Sequence, residues 1–264
     1  MKLSIIIPVR NEHETIVTLI ERVRAVDCGM AKEIIVVDGA STDGTREALR
    51  SLPPSPDLLL VFEDAARGKG RAVRTGFERA TGDIVMVQDA DLELEPGEIP
   101  SLLAPIVRGE TDVVFGSRFR GRGRGATPWV GYAGNMGLTW AANVLFLTRL
   151  TDILTCYKVM RAPVARSLDL RCNGFDLDAE ITCRLLRDGH RIVEVPVTYN
   201  PRSVDEGKKL SPGVGWSVLS AIVRTRLSRR SATGAAGVDE EVADGERDLV
   251  TSGTARTDDE RRAG

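Results

Sequence analysis

A chain of 264 residues with 42% hydrophobic and 28% charged residues has the make-up of a globular protein, large enough for one big core or two small ones. A formal charge of −2 at pH 7 gives no general attraction to nucleic acid, so no nucleic-acid partner is expected. Cys28, Cys156, Cys172 and Cys183 form no C-x-x-C pair and follow no pattern of histidine partners, which argues against a disulfide scaffold or a zinc site and for reduced thiols in a cytoplasmic protein.

In chain order, strands and helices alternate through the first half, which predicts a mostly parallel sheet with helices on both faces. Met1-Lys2 leads straight into a strand over 3–7, closed by Pro8, so no signal peptide is expected. Ile16, Leu19, Ile20 and Val23 recur at helical spacing and predict a helix over 15–26. A second strand over 33–37 runs into the turn-rich Asp38-Gly39-Ala40-Ser41-Thr42-Asp43-Gly44-Thr45 and a short helix. A third strand covers 58–62, and Arg67-Gly68-Lys69-Gly70 opens a helix over 71–80. The fourth strand, Ile84-Val85-Met86-Val87, ends at Gln88-Asp89-Ala90-Asp91; a helix near 99–107 and a strand over 112–115 follow.

The second half is less regular. Residues 116–127 are rich in Gly and Arg, with Arg118, Arg120, Arg122 and Arg124 on alternate positions, and read as a basic loop. A helix over 134–147, a strand over 155–160, a helix over 176–187 and a strand over 191–195 are expected next. The apolar stretch 138–148 is too short to span a bilayer and contains Asn143, so it belongs to a packed helix. In the final helix Trp216, Leu219, Val223 and Leu227 share a face, with Arg224, Arg226, Arg229 and Arg230 on other positions. That pattern fits either a helix lying at a membrane surface or one docked on the core with a basic outer face. From Ser231 onward nine acids and four arginines stand among small residues, and this acidic tail (231–264) is expected to be disordered.

The chemistry-bearing residues cluster in the loops after strands. Asp89 and Asp91, separated by one residue, can both turn toward a hard cation such as Mg²⁺ or Mn²⁺ that also takes phosphate oxygens. Loops 8–12, 38–43 and 89–91 would converge along the carboxyl edge of a doubly wound sheet, where ligands bind. Asp38, an acceptor at a strand end, suits a nucleobase N–H or ribose hydroxyls; Asp43 fits ordinary turn chemistry. Gly68-Lys69-Gly70 ahead of a helix would let backbone N–H groups and an ammonium approach a phosphate, although the full P-loop pattern is missing.

Read together, Ser4-Ile5-Ile6-Ile7-Pro8-Val9-Arg10-Asn11-Glu12, Ile34-Ile35-Val36-Val37-Asp38, Ser41-Thr42-Asp43-Gly44-Thr45, Gly68-Lys69-Gly70 and Asp89-Ala90-Asp91 resemble the inverting glycosyltransferases of family 2, with a GT-A (Rossmann-like) fold. Later motifs extend the resemblance over roughly residues 2–225. Gly116-Ser117-Arg118-Phe119, Leu150-Thr151-Asp152, Cys156-Tyr157-Lys158-Val159, Gly174-Phe175-Asp176 with Glu180, and Tyr199-x-x-Arg202 with Glu206-Gly207-Lys208-Lys209 are similar to the polyprenyl-phosphate (dolichyl-phosphate) hexose synthases. The resemblance implies one domain over 1–230, with a nucleotide-binding half at about 1–115 and an acceptor half at about 116–230. It implies that Pro8, Glu12 and Asp38 hold the nucleoside of a nucleotide sugar, that Asp89 and Asp91 bind Mg²⁺ or Mn²⁺ on its diphosphate, and that Arg118, Arg202 and Lys208 contact phosphate. Two departures stand out: Gly39 replaces a second acid of the family's Asp-Asp-Gly-Ser, and the usual basic residues around 128–136 give way to Gly131, Tyr132 and Met136.

Transfer then requires a stabilised leaving diphosphate and a nucleophile on the opposite sugar face. A phosphate acceptor is already a dianion at neutral pH and needs positioning, whereas a hydroxyl needs a general base. Glu180, with Asp178 nearby, is the candidate base; it reads equally as a helix-start acid. Asp91, Glu180 and Arg202 are thus the candidate catalytic residues, and Glu180→Gln is expected to separate the two acceptor classes. The favoured reading is hexosyl transfer to a polyprenyl phosphate, at the cytoplasmic membrane face if the protein binds membrane peripherally. A soluble hydroxyl acceptor and a non-catalytic nucleotide-sugar binding module are the alternatives.

Overall fold

The computed structural model describes residues 1–120, 129–202 and 213–228, which lie in one compact unit, Met1–Arg229. Its centre is a seven-stranded sheet in the order β3-β2-β1-β4-β6-β5-β7. The strands are β1 (Lys2–Val9), β2 (Ala31–Asp38), β3 (Leu58–Phe62), β4 (Ile84–Val87), β5 (Val113–Ser117), β6 (Lys158–Arg161) and β7 (Ile192–Pro196). Strands β3, β2, β1 and β4 are parallel neighbours, and β5 pairs parallel with β7. Only β6 among these is antiparallel, inserted between β4 and β5. The middle strands are buried on both faces, which is why they read as continuous apolar runs and not as alternating ones.

Among the described residues eight α-helices lie around the sheet: α1 (Ile16–Ala25), α2 (Thr45–Arg50), α3 (Lys69–Arg79), α4 (Ile99–Val107), α5 (Trp129–Phe146), α6 (Ala162–Ser167), α7 (Leu177–Arg187) and α8 (Gly213–Leu227). Helix α1 buries Ile16, Leu19, Ile20 and Val23, the residues whose spacing predicts it. Helix α3 lies so close on β1 that a Cβ at Gly76 would come within 2.3 Å of Ile6, so only glycine fits there. A polar staple ties the opposite edge. Glu33 on β2 accepts from Lys2 Nζ (2.6 Å), Ser4 Oγ (2.5 Å) and the Thr81 N–H (2.8 Å), joining β1, β2 and the lead-in to β4. Burial pushes the Glu33 carboxyl up, but these donors outweigh it and draw it down to about 2.

Three local expectations change. The strand expected over 155–160 is confined to Lys158–Arg161, because Thr155 Oγ1 accepts from the Tyr157 N–H (3.2 Å) in a turn. The short helix α6 follows it, too brief to show periodicity in sequence. Helix α5 starts at Trp129 although Gly131, Gly134 and Gly137 weaken helical propensity. In α8 the inward face is Val218, Ala221, Ile222 and Thr225, while Trp216, Val223 and Leu227 are exposed; the helix docks on the core and still turns an apolar stripe outward. All four cysteines are free. The acidic tail lies outside the described residues.

Candidate active site

The order of strands reverses between β1 and β4: β2 and β3 follow β1 on one side, and β4 lies on the other. At that point two adjacent parallel strands send their loops apart and open a crevice at their carboxyl ends. Three loops meet there. The Asn11 N–H donates to Ser41 Oγ (2.9 Å), the Thr42 N–H to Asn11 Oδ1 (2.9 Å) and the Glu12 N–H to Thr45 Oγ1 (2.9 Å). Thr15 Oγ1, just ahead of α1, donates to the carbonyl of Ala90 (2.8 Å), between the paired acids. From below, the buried Tyr157 hydroxyl donates to Gln88 Oε1 (2.8 Å) and fixes the start of that loop.

The charged side chains form a clasp around Asp89 and Asp91. Lys69, the first residue of α3, places Nζ 2.7 Å from Asp89 Oδ1 and 3.4 Å from Asp178 Oδ2. Arg202 donates bidentately to Glu12 (2.8 and 3.1 Å) and reaches Asp91 Oδ2 at 3.4 Å. Its Nε is buried with no acceptor among the described residues. Glu93 holds this arm in place, accepting from the Arg202 N–H (2.9 Å) and from Tyr199 Oη (2.9 Å). Burial, with the charges of Asp89 and Glu93, pushes the Asp91 carboxyl up to about 7.

This donor set fits a divalent cation. Two partly exposed carboxylates share this loop, burial and the neighbouring acids make one of them resist ionisation, and cationic side chains already lie against both. Mg²⁺ or Mn²⁺ takes one or two carboxylates and completes its shell with phosphate oxygens and water. Among the described residues no three His, Cys, Asp or Glu side chains are grouped to hold a metal by themselves.

Several expected roles change when partners are counted. Asp38 is fully buried, accepts from Arg46 Nε (2.7 Å) and lies 3.3 Å from the Ser41 N–H. Its carboxylate therefore shapes the loop and holds Arg46 over the Phe62 ring, so turn chemistry accounts for Asp38 as well as Asp43. The glycines of Gly68-Lys69-Gly70 serve packing: a Cβ on Gly68 or Gly70 would lie 2.3 or 2.5 Å from the carbonyls of Asn173 and Cys172. The Gly70 N–H donates to Asn173 O (2.7 Å) and so is not offered to a phosphate. Glu180 is buried and accepts from the backbone N–H groups of Arg171 (2.9 Å) and Cys172 (2.8 Å) and from Arg184 (2.9 Å). Despite burial these donors lower its pKa, and they leave it as an anchor for the 171–172 segment, not a poised base.

The acid that does reach the clasp is Asp178. It sits between Lys69 and Lys158 (3.2 Å), and although burial raises its pKa the two ammonium groups overcome this and keep it low. Sequence spacing offers a hint: Asp178 and Glu180 are two apart on a helix and must point to different sides. Arg118 forms a bidentate pair with the buried Asp152 (2.7 and 2.8 Å) and lies over the Tyr199 ring at 5.2 Å. Asn135 Nδ2 donates to the same carboxylate (3.2 Å). Arg120 lies 3.9 Å from Glu194. Pro8 is buried near the end of β1, beneath the crevice. Lys208, Arg122 and Arg124 lie outside the described residues.

Comparison with known proteins gives the architecture its relatives. The family model described as glycosyl transferase family 2 matches residues 4–168. A dolichol-phosphate mannosyltransferase of Pyrococcus furiosus is 32% identical over 214 residues, 79% of this chain and 59% of that protein. An undecaprenyl-phosphate mannosyltransferase of Micrococcus luteus is 31% identical over 242 residues, 87% of this chain and 96% of that protein. The chain thus spans under two thirds of the Pyrococcus enzyme and almost all of the Micrococcus one. Among solved structures, glucosyl-3-phosphoglycerate synthase of Mycobacterium tuberculosis, in complex with Mn²⁺, UDP and phosphoglyceric acid, superimposes with a TM-score of 0.67 at 21% identity. That match covers 87% of this chain and 80% of the synthase and supports the GT-A-like fold. The chain belongs to glycosyltransferase family 2.

Proposed function

We propose that this protein transfers a hexosyl group, with inversion, from a UDP- or GDP-sugar to a polyprenyl phosphate, with Mg²⁺ or Mn²⁺ held by Asp89 and Asp91. The observation that carries the proposal is the paired carboxylate at the strand-order reversal, clasped by Lys69 and Arg202. Two relatives named as polyprenyl-phosphate mannosyltransferases support the acceptor class.

In this reaction an acceptor oxygen forms a bond to the anomeric carbon while the bond from that carbon to the diphosphate breaks, and the nucleoside diphosphate leaves with the electron pair. The bound metal would supply positive charge to the leaving diphosphate. Lys69 and Arg202 are the chain's own cations beside that position and add to the same stabilisation. Glu12 orients Arg202, while Asp38 acts through the loop it holds. A phosphate monoester has a second pKa of about 6, so the acceptor arrives as a dianion and needs no base. The engagement of Glu180 is consistent with that economy. Arg118, stacked on Tyr199 beside the arm that carries Arg202, lies at the start of the basic loop 116–127.

One observation favours the soluble hydroxyl acceptor instead: Arg118 is spent on Asp152. Glu180→Gln no longer separates the two readings, since Glu180 anchors structure. The acceptor itself must be varied. Incubating the protein with UDP-, GDP- and dTDP-sugars, Mg²⁺, short polyprenyl phosphates and soluble sugars, followed by mass spectrometry, tests the proposal. A hexosyl polyprenyl phosphate is expected; glycosylation of soluble acceptors alone would replace this reading with the second.

A further inference from the structure

We propose that Lys158, buried beneath the site, is a positioning residue for nucleoside-diphosphate binding: it neutralises Asp178, so that the charge of Lys69 stays available at Asp89. The starting observation is a lysine whose side chain has no exposed surface at all. Lys158 opens β6 and pairs across the sheet with Phe115. A buried ammonium is costly unless each of its donors is met. Here the three N–H groups of Nζ face three acceptors: the carbonyls of Ile153 (3.2 Å) and Thr155, and Asp178 Oδ1 (3.2 Å). The ring of Phe115 lies 5.0 Å away. This cage fits a charged ammonium, since a neutral amine with two N–H groups would leave one acceptor unmet.

The fold does not need that charge. An apolar side chain of similar length would fill the space without burying an ion, and such replacements are commonly neutral or stabilising. Nor is Lys158 needed to tie the 153–155 turn to α7. Thr182 Oγ1 already does so, contacting the carbonyls of Ile153 (3.1 Å) and Asp178 (2.8 Å). What Lys158 adds is a positive charge on the far side of Asp178.

Four charges then alternate from the core to the crevice: Lys158, Asp178, Lys69 and Asp89. Asp178 gives Oδ1 to Lys158 and Oδ2 to Lys69 at 3.4 Å, and Lys69 keeps the shorter contact, 2.7 Å, with Asp89. The backbone at the start of α3 is held by the Gly70 N–H on the carbonyl of Asn173 (2.7 Å), so Lys69 chooses between the two acids through its own side-chain torsions. With the Lys158 charge gone, only Lys69 of the two ammonium groups would remain to answer Asp178, and it would be drawn down from Asp89. A diphosphate at the paired acids would then lose one of the chain's own cations. The inference rests on the proposed binding of a nucleoside diphosphate at Asp89 and Asp91, and it adds a residue that never touches that ligand.

The test is calorimetric titration of the full chain with UDP and with GDP in Mn²⁺. Lys158→Gln and Lys158→Met should each weaken the nucleotide that wild type binds at least tenfold. In a Lys69→Met background the same changes should matter less than twofold, because they act through Lys69; a merely structural lesion would weaken both backgrounds alike. Lys158→Met/Asp178→Asn leaves no unpaired charge in the core and decides the matter even if the single variants fail to fold. It should bind at least fivefold tighter than Lys69→Met, since Lys69 then answers to Asp89 alone. Wild-type affinity in a folded Lys158→Gln overturns the proposal. So does an equal loss in the Lys69→Met background, or a double variant less than fivefold tighter than Lys69→Met. Transfer to a polyprenyl phosphate, assayed on wild type alongside, keeps the two readings apart. Nucleotide binding without that transfer sinks the acceptor assignment and leaves the role of Lys158 standing, whereas wild type that binds neither UDP nor GDP sinks both.

Discussion

At the residue scale the site is defined by what each carboxylate is already holding. The pKa of Asp91 is raised by burial and by the charges of Asp89 and Glu93, with Arg202 at 3.4 Å as a partial counter-charge. Asp91→Asn should therefore lower transfer by roughly 100-fold or more. Its effect on thermal stability should be neutral or slightly favourable, because the amide removes like-charge repulsion; activity assays paired with calorimetry check this. Glu180 gives the opposite signature. Glu180→Gln leaves the buried Arg184 short of its counter-charge and weakens the hold on the 171–172 backbone, a loss of about 3 kcal/mol. Urea denaturation should show that loss while the folded enzyme keeps its turnover; a stable variant without turnover would restore Glu180 as a base. The sequence carries both acids plainly but not their partners. Glu180 and Asp178 are indistinguishable until α7 fixes which one faces Lys69.

At the element scale, helices and strands act as levers that place those side chains. The start of α3 is pressed against the Cys172–Asn173 backbone, and this contact delivers Lys69 to Asp89 and Asp178. Gly70→Ala forces a Cβ to within 2.5 Å of a carbonyl and should cost about 2 kcal/mol. Its larger effect should be a raised KM for the nucleotide sugar, read from steady-state kinetics, because Lys69 moves with the helix end. Strand positions were legible because strands buried on both faces write themselves as apolar runs, as β1 and β4 do. The antiparallel insertion of β6 was not, since strand direction leaves no trace in composition. Helix α5 was only half legible: its glycines hide its start, and its missing charges become meaningful only once one face is known to point outward.

At the scale of the whole molecule, the group expected to govern acid stability and the candidate site lie at opposite ends of the strands of one sheet. The Glu33 staple lies at the amino ends of β1 and β2, away from the crevice. Its folded pKa of about 2 lies below the ordinary 4.5, so its contribution is complete above pH 4.5 and is lost as pH falls toward 2. Glu33→Gln should cost about 2 kcal/mol at neutral pH, a difference that closes as the pH drops through that window in denaturation curves. At the other edge, convergence of the three loops could be anticipated from the order of motifs, whereas the choice of acceptor could not, because it depends on how Arg118, Asp152 and Tyr199 pack. The central claim is that a phosphate, already ionised, is the nucleophile. The most direct measurement compares a short polyprenyl phosphate with the corresponding polyprenol, using the same nucleotide sugar, in Mg²⁺ and in a chelator. The account predicts hexose on the phosphate alone and only with metal; transfer to the polyprenol, or transfer that survives the chelator, would contradict it.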